Sequence, residues 1–345
     1  MSSAAEPTAS PRPPDSGTEA PFALPRGAAM PPAANDAAAF SPMPSRTALV
    51  LAFAAIYIIW GSTYLGIRVA IETMPPFAMA AARFIIAGAI LFAFQRARGA
   101  AAPTARQWGI NAIIGTFLLL GGNGLVAWAE QFVPSGVTAL LIGVQPLFFV
   151  LTEWAWPGGS RPTPITAVAL LLGFAGVAWL AAPWAQSTHG GLNLQGVLAI
   201  LSACVFWAFG SIYSRHARHG ADPLLASSLQ MLSGGLALTL AAGLHGELGH
   251  LDLAAVSTRS WIAFVYLVGF GSLVGFSTFV WLMLHSTPAR VSTYAYVNPV
   301  VAVFLGWLIL HEPITSRTLV ASVVIIAAVV IITMEKNKAT AKPAT

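Results

Sequence analysis

Ten times along its length the chain runs for about twenty residues through apolar side chains with almost no charge, as in "LVLAFAAIYIIWGSTYLGI" (49–67). Roughly twenty residues of helix span the hydrocarbon core of a bilayer. Inside that core no water is present, so a crossing segment has to satisfy its own backbone, as a helix or as a strand in a closed barrel. The runs are continuous rather than alternating, which excludes a barrel and leaves helices. Ten spans are predicted, at about 48–67, 76–94, 108–127, 135–154, 163–181, 193–213, 223–243, 260–284, 289–310 and 316–334. Charged residues make up 8% of the chain, against roughly 25% in soluble domains. The expected fold is an all-α integral membrane protein. Trp108, Trp154, Trp156, Trp184 and Trp261 fall near span ends, where an interfacial belt places them.

Orientation follows from the cations. With the N-terminus in the cytoplasm, 13 of the 17 Lys and Arg lie on the cytoplasmic side, three (Arg68, Arg259, Arg317) lie outside, and Arg83 lies within a span. This asymmetry predicts a multi-pass membrane protein with both termini cytoplasmic. It also accounts for the basic isoelectric point without any nucleic acid. Residues 1–45 hold 10 Pro and 12 Ala and read as a disordered tail. The single cysteine, Cys204, cannot form an intrachain disulfide, and His245, His250, His285 and His311 show no ligand spacing. No metal, cofactor or catalytic residue is expected.

The chain repeats itself. "WGSTYLGIR" (60–68) in span 1 answers "WAFGSIYSR" (207–215) in span 6. "PFAMAAARF" (76–84) answers "PLLASSLQM" (223–231), which sets Arg83 opposite Gln230. "VPSGVTALLIGVQP" (133–146) answers "TPARVSTYAYVNP" (287–299). Five spans is an odd number, so the copies point oppositely across the membrane, the plan of many secondary transporters that bind substrate between the repeats. The predicted units are 46–183 and 193–335, followed by a cytoplasmic tail at 336–345.

The Trp-Gly-Ser opening of span 1, Arg83-Phe84, "GNG" (122–124) with Glu130, "VPSG", "AYVNPVVAV" (295–303) and "HEPIT" (311–315) resemble the EamA family of the drug/metabolite transporter superfamily. The resemblance covers about 48–334 and is closest to the ten-helix bacterial inner-membrane exporters. It implies two inverted five-helix units and export of amino acids or related small metabolites, in some members drugs. The second half keeps the family's Glu312-Pro313 turn, whereas the first reads "WPGGSRPTP" (156–164) with no matching acid.

Polar groups in the spans are the candidate site. Arg83 lies about 10 Å into span 2, and an Arg at a helix centre costs about 2.5–3.5 kcal/mol on insertion scales. It either holds a substrate carboxylate or sets the cavity potential, or else it snorkels, or pairs with backbone carbonyls and Glu130. Gln145-Pro146 and Asn298-Pro299 occupy equivalent places. Each reads as a bend with a carboxamide, lining a cavity or bonding between helices. Tyr294 shares a face with Asn298. Asn123, Ala127 and Glu130 fall on one helical stripe, and Glu130 is a gate charge, a proton carrier or an interfacial acid. Trp60, Trp207 and Tyr266 offer aromatic faces that suit apolar, aromatic or cationic groups, or else they pack. Gly271 and Gly275 form a GxxxG close-packing motif.

The function expected is a secondary transporter acting on a small-molecule substrate in the lipid bilayer. The alternatives are a passive channel or uniport-like pore, and a membrane enzyme. No Walker A, HExxH or GxSxG motif is present, which argues against ATP hydrolysis by this chain and against an enzyme.

Overall fold

A computed structural model describes residues 45–159, 161–181, 192–217, 222–286, 288–291 and 293–341. The Pro/Ala-rich tail, Trp184 and four of the counted cations (Arg12, Arg26, Arg218 and Lys342) lie outside the described residues. Every long element is helical: α1 (Arg46–Ala70), α2 (Pro76–Ala97), α3 (Ala105–Ala129), α4 (Ser135–Ala155), α5 (Pro164–Ala181), α6 (Leu194–His216), α7 (Pro223–Leu244), α8 (Thr258–Met283), α9 (Tyr294–Leu310) and α10 (Ser316–Ala341). Nine are long and apolar enough to cross a membrane, and α9 is a shorter apolar helix. The expected all-α, ten-helix membrane fold is the one observed.

The packing is itself doubled. α2 lies against α7, and α5 against α10, so each of these pairs joins a helix to its counterpart in the other half. α1 packs on α8 and α9, and α6 makes the matching contacts with α3 and α4. Counterparts are five spans apart and run in opposite directions, so a pseudo-twofold axis in the membrane plane relates the halves. One face carries both ends of the described chain and is called here the terminal face. The turns after α1, α3, α7 and α9 lie at the opposite face.

Local breaks also recur. α3 and α8 each pass through a wider π-helical stretch, Thr116–Gly124 and Leu267–Val274. Both stretches carry glycines, "GGNG" and "GFGSLV". The π register ends at Gly124, and Leu125–Ala129 returns to the α-helical period before Glu130. Asn123 donates its amide to the carbonyl of Leu118 at 3.4 Å, five residues back. The two proline bends differ. α4 breaks into Ser135–Ile142 and Gln145–Ala155 just before Pro146, whereas Pro299 sits within the unbroken α9. In the second half the break comes earlier, between a turn at Pro288–Val291 and Tyr294.

Three of the acids among the described residues are spent on helix starts, where backbone N–H groups lack partners. Asp222 accepts from Leu224 and Leu225 at the head of α7. Glu247 accepts from Ala78 of α2 at 2.8 Å. Glu312, reached through the left-handed His311 (φ 55°), accepts from the N–H and hydroxyl of Ser135 at 2.7 and 2.8 Å and from the N–H of Gly136 at 2.9 Å. The family turn of the second half thus caps α4 of the first. The first-half turn brings no acid, and α9 begins without a side-chain cap. Charge-assisted bonds contribute about 1.5–3 kcal/mol each, so Glu312→Ala is expected to cost about 2 kcal/mol of stability and Glu312→Gln less. Thermal unfolding in detergent reads the difference, and an unmoved transition for Glu312→Ala would remove the cap from the account.

Candidate functional site

The two carboxamides face the opposite half. Gln145 of α4 donates its amide to the carbonyl of Cys204 in α6, at 2.9 Å. The buried Asn298 of α9, with its nitrogen turned toward the carbonyls that face it, donates to Tyr57 of α1 at 3.3 Å and to Tyr294 at 3.2 Å. Tyr57 and Cys204 are counterparts, each three residues before the repeated tryptophan. Both bonds therefore join the same pair of helices in mirrored form. The tryptophans obey the same symmetry. A methyl group added at Gly122 would lie 2.7 Å from the ring of Trp207, and one at Gly275 would lie 2.5 Å from Trp60 Nε1. Only glycine admits an indole this close to each π stretch.

Around Trp60 the aromatics cluster. Tyr294 stands edge-on at 5.1 Å, Phe279 lies at 5.2 Å and Phe276 at 5.8 Å between ring centroids. One turn away on α8, about 6 Å along the axis, Gly271 faces the guanidinium of Arg83, and a methyl group there would sit 3.0 Å from its Nη2.

Arg83 is 4% exposed. Its Nε donates to Ser272 Oγ at 2.9 Å, and its guanidinium carbon stands 4.8 Å from the Phe84 ring centroid. Among the described residues the ion pairs are Arg215–Glu153 and Arg259–Glu72. Arg83 therefore neither snorkels nor pairs with Glu130. Nearby, the hydroxyls of Ser62 and Tyr266 share a hydrogen bond of 2.6 Å. At the mirrored position, Gln230 of α7 donates to Asn111 of α3 at 2.9 Å. One half thus places a cation where the other places a neutral amide.

The chain matches the model of the EamA-like transporter family twice, over 47–182 and 194–334. It belongs to that family. The inner membrane transporter YedA of Escherichia coli K12 is 37% identical over 84% of this chain and 92% of its own length. The transporter YvbV of Bacillus subtilis is 26% identical over 86% of this chain and 93% of its own. A crystal structure sharing 22% identity aligns over 84% of this chain and 99% of its own with a TM-score of 0.58, which shows a common fold. The protein is a membrane transporter of the EamA type.

On this EamA scaffold the structure brings Trp60, Tyr294, Arg83 and Tyr266 together along α1 and α8, and sets Trp207 and Asn123 about the other π stretch. Gln145 and Asn298 are engaged between the halves. Glu130 stands apart, fully buried at the opposite face. Sequence reasoning missed Ser62 and Ser272, because a serine in an apolar run carries no signal of its own. It also missed Tyr64 of α1, a phenol near Cys204, Glu130 and Tyr294. Interhelical hydrogen bonds in membranes contribute about 0.6–1.7 kcal/mol. Asn298→Ala and Gln145→Ala should each lower stability by about 1 kcal/mol, and the double variant should depart from the sum, since Gly143 of α4 lies against Pro299 of α9. Unfolding midpoints of the two single variants and the double variant check this.

Proposed function

We propose that the protein is a secondary transporter exporting small carboxylate-bearing metabolites, amino acids or related compounds, across a bacterial inner membrane. Its two halves, 46–183 and 193–335, alternate access around the site between them, with both termini in the cytoplasm. One observation carries the reading: Arg83 is a buried cation with no acid paired to it among the described residues. Such a charge is costly in a membrane and marks a pathway or binding site. Its planar fork matches a carboxylate. The Trp60 cluster one turn away supplies an apolar wall for the rest of the substrate. The name of YedA supports the inner membrane as the location.

The energetics suit export. An anion leaving a negative interior gains about 2.3 kcal/mol per 100 mV, and an accumulated zwitterion runs down its own gradient. Proteoliposomes loaded with a pooled panel of amino acids, aromatic acids and organic cations, read by mass spectrometry, test the reading. Selective loss of carboxylate compounds is expected. Arg83→Gln should slow their efflux roughly tenfold to a hundredfold, the equivalent of a lost charge-assisted bond, and affect cations less. Equal losses across all classes would count against a carboxylate site.

A further inference from the structure

Eight acidic residues fall among the described residues, and seven of them have partners. Glu72 and Glu153 face Arg259 and Arg215 at 3.6 and 3.8 Å. Asp222, Glu247 and Glu312 accept N–H groups at helix starts. Asp252 accepts from Ala254 at 2.9 Å, and Glu335 is also engaged. Glu130 differs from all of them. It is 0% exposed, and neither carboxylate oxygen has a hydrogen-bond partner.

Its surroundings do not favour a negative charge. Arg68 of α1 is the cation facing it, and its guanidinium donates to the backbone carbonyl of Glu130 rather than to the carboxylate. Glu312, at the turn between α9 and α10, is a second acid acting on it. Tyr64, one turn before Arg68, is the phenol facing it. From α2 and α6, the other helices packed on this end of α3, no charged side chain faces it among the described residues. An ionised carboxylate presents about four acceptor sites. Burying one with none of them filled is strongly unfavourable, and a neighbouring acid makes it more so. A neutral carboxyl in the same place has no charge to desolvate.

We propose that Glu130 is a proton-binding site that couples transport to a proton gradient. The inference rests on the transport reading above. In the arrangement described, one carboxyl oxygen carries the proton as O–H. When the halves rock, Arg68 turns from the carbonyl to the carboxylate, the O–H bond breaks, and the proton leaves to water that enters from the terminal face. Reloading takes a proton from water at the opposite face, and no electrons are transferred. One proton would thus move inward as substrate moves out.

Two measurements test this separately. Infrared difference spectra of the purified protein in lipid should contain a protonated-carboxyl stretch at neutral pH. It should vanish in Glu130→Gln and persist in Glu153→Gln. Its absence from the parent protein, or its survival in Glu130→Gln, would overturn the proposal. Should Glu130→Gln fail to fold, Glu130→Asp decides, because the band moves if the proton sits there and stays otherwise. In proteoliposomes loaded with the amino-acid panel, an acid-outside gradient should speed efflux several-fold. Glu130→Gln should lose that acceleration, and exchange of labelled for unlabelled amino acid at equal pH separates lost coupling from lost protein. Exchange without any gradient effect in the parent would sink the proton site and leave transport standing. An infrared band without movement of any compound would sink the transport reading instead.

Discussion

A polar group carried into hydrocarbon has to find its partner within the protein, and most of this structure follows from where those partners are found. The backbone finds them locally, which makes each span a helix. Gln145 and Asn298 find them across the molecule, on the mirrored carbonyls of Cys204 and Tyr57. Glu312 finds three donors at the head of α4, 176 to 177 residues away in sequence. Between them these bonds tie each half to the other, the two carboxamides at mirrored positions, while the glycines beside the two π stretches let the tryptophans close the remaining gap.

The scaffold is symmetric, but its charges are not. Arg83 in α2 has the neutral Gln230 as its counterpart in α7. Glu130 lies eight residues after Gly122, and eight residues after the paired Gly275 stands Met283. Glu312 caps α4, yet no acid caps α9. A strictly twofold site would bind a substrate equally in two orientations. The cation and the unpartnered acid both lie in the first half, which would give the proposed site a direction while leaving the packing interchangeable.

The long apolar runs made the fold legible, because ten stretches of the right length admit few other solutions and the odd repeat forces the inversion. The ends of α2 and α7 were readable from their prolines. The π stretches were not, since stripe analysis assumes the α-helical period and the glycines are the only local trace of the change. Of the candidate site, the groups that stand out against an apolar background were visible: Arg83, Glu130 and the two carboxamides. Their partners were not visible. Cys204 and Tyr57 receive the carboxamides on their carbonyls, and every residue has one. Ser62, Ser272 and Tyr64 acquire meaning from what faces them across another helix.

The repeats also supply an internal control for the acid. Arg68 and Arg215 are counterparts, each eight residues after the repeated tryptophan. At the terminal face Arg215 meets the carboxylate of Glu153, with both side chains partly exposed. At the opposite face Arg68 has Glu130 within reach and takes its backbone carbonyl instead. The same arginine in the same frame thus pairs with an acid where water reaches and leaves one unpaired where water does not. Trp60, Tyr64 and Arg68 follow one another at four-residue spacing, a single stripe of α1 about 12 Å long. That stripe runs from the aromatic cluster beside Tyr294 to the buried acid, so a rotation of α1 that moves the wall of the proposed substrate site also moves the cation proposed to act on Glu130.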